Sequence, residues 1–443
     1  MNKYIFILGM TTMALFAACS TDDGLDAEEM ARLEKEREAA ILAEAISDSE
    51  IPITIGTGSH SNFNVTRAPL NPDPNGLFET ENGKYLGVFC LAKEKQTGAP
   101  SSVTQLSDIK WTITDEYRDL IIKMSNIPAK VTTSGTQSSV TFLNQTDFAN
   151  GTETPETWFY PMNDWVRYNF YAYYPRQDEQ DAAGNTTLSY TANQVVEKYF
   201  EIDGSQDIIW ASGISTDESF TDALPYCAKY FRKKKASLDP GDDIANYYPM
   251  FRFEHKLTQF AFNAKAASAD DAAVLSSKHF KVKRVWISNV LYKLQLIVAS
   301  KKNEARNGVL MSFGTSATKA LNIKLSGADV DRFDQDGNDT PDNPLMIAST
   351  ASDTDTKAMG YLMLPPTLLD ATTLEDYKLF VEVEYDKDGG TTTEQLQYVL
   401  TPPTGGFLAG YKYNVNLTFY APSEIHALAT LDAWTNGEDI NLD

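Results

Sequence analysis

Phe251-Arg252-Phe253-Glu254-His255-Lys256-Leu257-Thr258-Gln259-Phe260-Ala261-Phe262 is the stretch that decides the fold class. Apolar and polar residues alternate along it, the pattern of a strand with one buried face. Runs of the same kind precede it at Tyr85–Leu91, Val140–Phe142, Val166–Tyr173 and Asp207–Trp210. Others follow at Val282–Val290, Gly360–Leu364, Leu379–Tyr385 and Tyr411–Phe419. Nearly all are short and bounded by Gly, Pro, Asn or Asp, which predicts an all-β chain built as a sandwich or barrel. No helical stretch long enough for a βαβ crossover separates them, which disfavours doubly wound and barrel enzymes of the α/β type. A charged, turn-rich stretch runs from Arg232-Lys233-Lys234-Lys235 through Asp239-Pro240-Gly241-Asp242-Asp243. It divides the body into an N-terminal sandwich, 51–240, and a C-terminal one, 241–443.

The whole chain has 443 residues, with 38 Lys and Arg against 61 Asp and Glu, a net charge of −23 and a pI near 4.6. That excess of acid excludes nucleic acid as a natural partner, because phosphate binding needs a basic surface. It equally disfavours a polybasic membrane patch. A hydrophobic fraction of 42% with 11% aromatics is enough to build cores. Three Cys and four His are too few for a zinc-ribbon or a disulfide scaffold.

The N-terminus sets an address. Met1-Asn2-Lys3, an apolar run to Ala18 and then Cys19 read as a secretory leader, too short for a membrane span. Leu15-Phe16-Ala17-Ala18-Cys19 resembles the lipobox of bacterial lipoproteins, with Phe16 where Leu is usual. The resemblance implies diacylation of Cys19 and loss of residues 1–18. That loss removes Lys3 and no acid, so the mature chain carries −23 − 1 = −24. Ser20-Thr21-Asp22-Asp23 looks like the acidic export tag that sends lipoproteins of the Bacteroides group to the outer face. Residues 19–50 are rich in Ala, Glu, Leu, Arg and Lys and contain no Pro, which predicts a solvated, partly helical acidic tether. Ile51-Pro52-Ile53-Thr54-Ile55 then alternates at period two, a strand signal in which Pro52 favours an edge.

Several local patterns resemble the fimbrillin family, the subunits of Bacteroides-type (type V) pili. They are Tyr168-Asn169-Phe170-Tyr171-Ala172-Tyr173-Tyr174-Pro175, Asp207-Ile208-Ile209-Trp210-Ala211-Ser212 and the Phe251–Phe262 stretch. Near the C-terminus, Gly410-Tyr411-Lys412-Tyr413-Asn414-Val415-Asn416-Leu417, Ile425 to Leu431 and Asp432-Ala433-Trp434 complete the set. The resemblance covers the chain without a single decisive motif. It implies two tandem transthyretin-like β-sandwich domains behind a lipoprotein leader. It also implies a precursor capped by its own N-terminal strand and assembled by strand exchange after a trypsin-like surface protease cuts behind an arginine. The removable strand would be Ile51, Ile53 and Ile55 with their neighbours, and the cut would fall between Arg67 and Ala68. The connecting segment is polar and contains Gly, which suits an exposed, cleavable loop. Partners would be other fimbrial subunits, the protease, and the outer membrane through the lipid. Ile425–Leu431 is a strand candidate, and Glu438–Asp443, with Ile440 and Leu442, leave little chain for a donated segment. Stalk, tip or anchor therefore stays open. The rival reading is a monomeric surface lipoprotein that binds a glycan or another ligand.

Other candidate sites carry less. Asp329, Asp331, Asp334, Asp336, Asn338, Asp339 and Asp342 crowd around Gly337. Asp334, Asp336 and Asp339 are calcium candidates, since calcium takes oxygen-rich loops. The EF-hand spacing fails, however, because its first position would be Arg332. His60, His255, His279 and His426 are scattered with no zinc-type pair, and His255 reads as a structural residue of its strand. Cys90 and Cys227 carry no nucleophile signature and read as one disulfide or two buried thiols. Glu382 and Glu384 share a strand face, the minimum for a glycosidase-type dyad. Tyr168, Tyr171, Tyr173 and Tyr174 could stack on sugars or fill the core. No cofactor motif is present, and the chain reads as a non-enzyme.

Overall fold

The computed structural model describes residues 32, 51–57, 80, 83–95, 122–134, 137–160, 166–178, 188–190, 195–215, 217, 219–220 and 223–301. It further describes 303–313, 318–323, 344–369, 372–373, 376–420 and 426–433. The strands named below all belong to one compact unit, Glu50–Phe231 with Asp243–Asp443.

The body is all-β, as its short alternating runs require. A seven-stranded sheet has the order β1 (Gly56–Thr57), β4 (Gln137–Phe142), β3 (Ile122–Ser134), β2 (Leu86–Lys95), β5 (Val166–Tyr174), β8 (Ile209–Gly213) and β9 (Arg252–His255). A four-stranded sheet runs β13 (Leu310–Ser312), β12 (Lys293–Ser300), β7 (Val195–Glu201), β6 (Leu188–Tyr190). A second runs β16 (Lys357–Leu364), β10 (Thr258–Ala266), β21 (Lys412–Tyr420), β22 (His426–Ala433). The last large sheet is β14 (Thr318–Asn322), β11 (Lys281–Leu291), β19 (Tyr377–Lys387), β20 (Gly390–Leu400), with β15 (Leu345–Met346) also on β11. A small ladder joins β17 (Leu368–Leu369) to β18 (Thr372–Thr373). Pairing is antiparallel except between β10 and β21.

Side-chain burial follows the strand period. Along β19 Tyr377, Leu379, Val381, Val383 and Tyr385 are buried, while Lys378, Phe380, Glu382 and Glu384 are half-buried on the other face. β21 repeats the pattern with Tyr413, Val415, Leu417 and Phe419 inside. Phe260 of β10 ties these strands together, its ring 4.8 Å from Phe407 and 5.8 Å from both Tyr377 and Tyr413. β5 differs: apart from Arg167 it is buried on both faces, the pattern of a central strand. Tyr168, Tyr171, Tyr173 and Tyr174 are therefore core residues, each at most 1% exposed, and offer no ring to a sugar.

The Phe251–Phe262 stretch does not form one strand. β9 pairs with β8 in the seven-stranded sheet, and after Lys256 and Leu257 the chain enters β10 in another sheet. The buried apolar positions change parity at the crossing: Phe251 and Leu257 are odd-numbered, whereas Phe260, Phe262, Ala264 and Ala266 are even. A one-residue phase change turns the opposite face inward, so the two halves serve different layers. Strands from before and after residue 240 also share sheets, through β8 with β9 and β7 with β12. Arg232 to Lys235, read from sequence as part of a turn-rich boundary, are helical within α2 (Ala228–Ser237). The preceding helix is α1 (Gln145–Ala149), and α3 (Ala269–Ser277) follows β10.

Candidate functional site

The segment Ile51–Thr57 builds the site. Its alternation is real: Ile53 and Ile55 are 3% and 2% exposed, whereas Pro52 and Thr54 face outward. Pro52 lacks a donor and sits where none is needed, bridging Phe159. Regular pairing is shorter than the strand expected at 51–55 and lies later, at β1. There Gly56 and Thr57 face Ser139 and Ser138 of β4. The preceding residues are held by single bonds instead. The Ile53 amide donates to the Trp158 carbonyl at 2.7 Å, and the Tyr160 amide donates to the Ile51 carbonyl at 2.9 Å.

Gly56 does a second job. Its amide donates to the Pro249 carbonyl at 2.9 Å, and the Phe251 amide donates to its carbonyl at 3.1 Å. Met250 and Phe251 lead directly into β9, the far end of the sheet that β1 begins. One short segment thus pairs with β4 on one side and with the residues that lead into β9 on the other, giving both stretches main-chain partners. Burying two isoleucine side chains contributes about 1.5–3 kcal/mol each. With a few backbone bonds added, the segment is well held without being built into a long ladder.

The segment's neighbour Tyr160 is 2% exposed, its ring 5.2 Å from Phe231 and 6.2 Å from Phe170. Its hydroxyl has no partner among the described residues. Burial, then the nearby Cys90, Tyr226, Cys227 and Tyr248, push its pKa well above the ordinary phenol value. Cys90 and Cys227 are buried thiols; the Cys227 thiol donates to the Leu224 carbonyl at 3.3 Å.

The other sequence candidates fall elsewhere. Cys19, Arg67, Ala68, Asp334, Asp336 and Asp339 lie outside the described residues, as do Trp434 and the tail after it. Glu382 and Glu384 do share a face, but Lys281 and Lys283 approach Glu384 at 2.7 and 3.0 Å. Their hydrogen bonds hold the Glu384 carboxyl below its usual pKa, the opposite of what a general acid needs. His279 meets Asp386 at 2.7 Å in an exposed pair. Among the described residues no group of three or more His, Cys, Asp or Glu could hold a metal. Among them, too, no helix is long and apolar enough to cross a membrane.

His255 is structural, in a way the sequence pattern did not reveal. Its Nδ1 lies 2.6 Å from Oδ2 of Asp207, and both side chains are almost fully buried. The other oxygen, Oδ1, has no partner among the described residues. Burial lowers the His255 pKa, but the charge and hydrogen bond of Asp207 outweigh it and leave the pKa raised. Register alone brings the pair together, since β8 and β9 align Ile209 with His255 just beyond Asp207.

The fold and site define an all-β protein whose N-terminal segment completes a sheet made by later strands. No family model matches the sequence, and no curated protein matches it. Among solved structures it is similar to a candidate cell adhesion protein of Bacteroides uniformis, at 13% identity, with 88% of this chain and 99% of that one covered and a TM-score of 0.42. A candidate cell adhesion protein of Bacteroides fragilis gives 13% identity, the same coverage and a TM-score of 0.37. The fimbrial anchor protein Mfa2 of Porphyromonas gingivalis gives 7% identity, coverage of 87% and 97%, and a TM-score of 0.28. At these identities and scores none of them assigns a role to this chain.

Proposed function

We propose that the chain is the exported precursor of a cell-surface fimbrial subunit that supports adhesion. In this reading it is lipidated at Cys19 and held at the outer membrane by its tether, as two tandem β-sandwich domains. A trypsin-like protease cuts between Arg67 and Ala68, Ile51–Thr57 leaves its seat, and a strand from another subunit replaces it. The observation that carries the reading is the seat itself. Ile53 and Ile55 are buried between backbone partners on both sides, yet the ladder is only two residues long. A segment so placed can be exchanged for another strand with the same alternation, because the pairing is made by main-chain groups any strand supplies.

The test is N-terminal sequencing and mass spectrometry of surface material, together with electrophoresis of unboiled and boiled samples. We expect an N-terminus at Ala68 in a detergent-resistant ladder. Assembled fibres that begin at lipidated Cys19 would sink the reading.

A further inference from the structure

We propose that β20 pairs antiparallel with β20 of a second copy of this chain, about a two-fold axis at Gln395, as a lateral contact distinct from strand exchange. β20 spans Gly390–Leu400, eleven residues, and is the terminal strand of its sheet. The other terminal strands described are shorter: two residues in β1, four in β9, three in β6 and β13, five in β14, and eight in β16 and β22. Its register with β19 is unbroken from Tyr377 opposite Leu400 to Lys387 opposite Gly390, so no bulge turns its outer side away. The outer side makes no backbone hydrogen bond to another described residue.

Edge strands are usually guarded by lysine, proline, a bulge or shortness. β20 has none of these, and Thr391-Thr392-Thr393 and Val399 favour extended pairing. Val399 is 51% exposed. The occupant follows from charge and self-complementarity. The chain carries −23, so a second copy can approach only where carboxylates are sparse. β20 holds one, Glu394, which already accepts a hydrogen bond from the Tyr385 hydroxyl at 2.9 Å.

A two-fold at Gln395 sets Thr391 against Val399, Thr392 against Tyr398, Thr393 against Gln397, Glu394 against Leu396, and the two Gln395 amides together. No like charges stand directly opposite each other, and Thr391 meets β-branched Val399 and Thr392 meets aromatic Tyr398, while Thr393 meets Gln397. A single strand pair buries less than a stable dimer needs, so the contact is weak for isolated chains and gains strength when copies are arrayed.

Sedimentation velocity on the uncleaved, unlipidated full chain, from micromolar to millimolar concentration, tests this separately from any processing at Arg67. The expected result is a monomer–dimer equilibrium that tightens with added salt, because screening relieves repulsion between like-charged copies. Thr393→Lys with Gln397→Lys should weaken dimerisation about tenfold with an unchanged melting temperature. Gln145→Lys with Thr152→Lys, the same charge on exposed positions of α1 and the loop after it, should leave it unaltered. If the β20 lysine pair lowers the melting temperature, Gln395→Lys alone, whose two copies meet at the axis, carries the same expectation. A chain that stays monomeric throughout overturns the proposal. So does dimerisation that ignores the β20 lysines, or that the control pair weakens equally.

Discussion

At the scale of single residues, His255 and Asp207 show how a core can hold a charge. The pair is nearly water-free and joined at 2.6 Å. Removing one member of a buried pair typically costs about 3–5 kcal/mol, because the other charge stays buried without compensation. The pH dependence has a definite sign. The folded pKa of His255 is raised above its unfolded value near 6.5. Its contribution is therefore fully present below about pH 6.5 and fades as pH rises through the folded pKa. We expect His255→Gln to destabilise the chain by more at about pH 5.5 than at about pH 8.5, as measured by denaturant unfolding. A gap that widens toward alkaline pH would refute the charged-pair account. Gly87 shows a different constraint at the same scale. A Cβ there would collide with the Asn126 Oδ1 and the Tyr173 ring, which share a 2.8 Å hydrogen bond in the core.

At the scale of elements, alternation was legible and pairing was not. The Ile51–Ile55 run announced two buried isoleucines and an outward Pro52, and those side chains lie as the period requires. That the ladder falls on Gly56 and Thr57 depends on where β4 and Pro249 present their free groups, over eighty residues away in sequence. Phe251–Phe262 gives the converse case. Its change of parity at Leu257 and Thr258 was present in the letters, but only the neighbouring strands turn that change into a passage between sheets. The hairpin of β19 and β20 is more local: Asp388 and Gly389, with φ of 49° and 80°, make the two-residue turn that Asp-Gly favours. Since the N-terminal segment is held chiefly by its isoleucines, Ile53→Ala and Ile55→Ala should each cost about 2–5 kcal/mol. Together they should raise binding of a hydrophobic dye to the native chain, because they loosen the cover over the core. Unchanged unfolding midpoints in both variants would show that the segment contributes nothing to the fold.

For the whole molecule, the charge of −23 keeps copies apart while exposed edges remain available. Net charge falls toward zero near pH 4.6, so light scattering at low salt should rise steeply as pH approaches that value and fall again below it. A flat profile would mean that charge does not govern self-association. By itself the sequence determined the all-β class, the periodic faces of the strands and the acidic surface, because each follows from local alternation and composition. Only the tertiary structure decided which strands share a sheet, that the four tyrosines of β5 are core, and that His255 meets Asp207. It also decided that one short N-terminal segment pairs both with β4 and with the residues that lead into β9. The physical reason is that strand pairing uses backbone groups every residue carries, so the letters fix which face is buried but not which neighbour completes the edge.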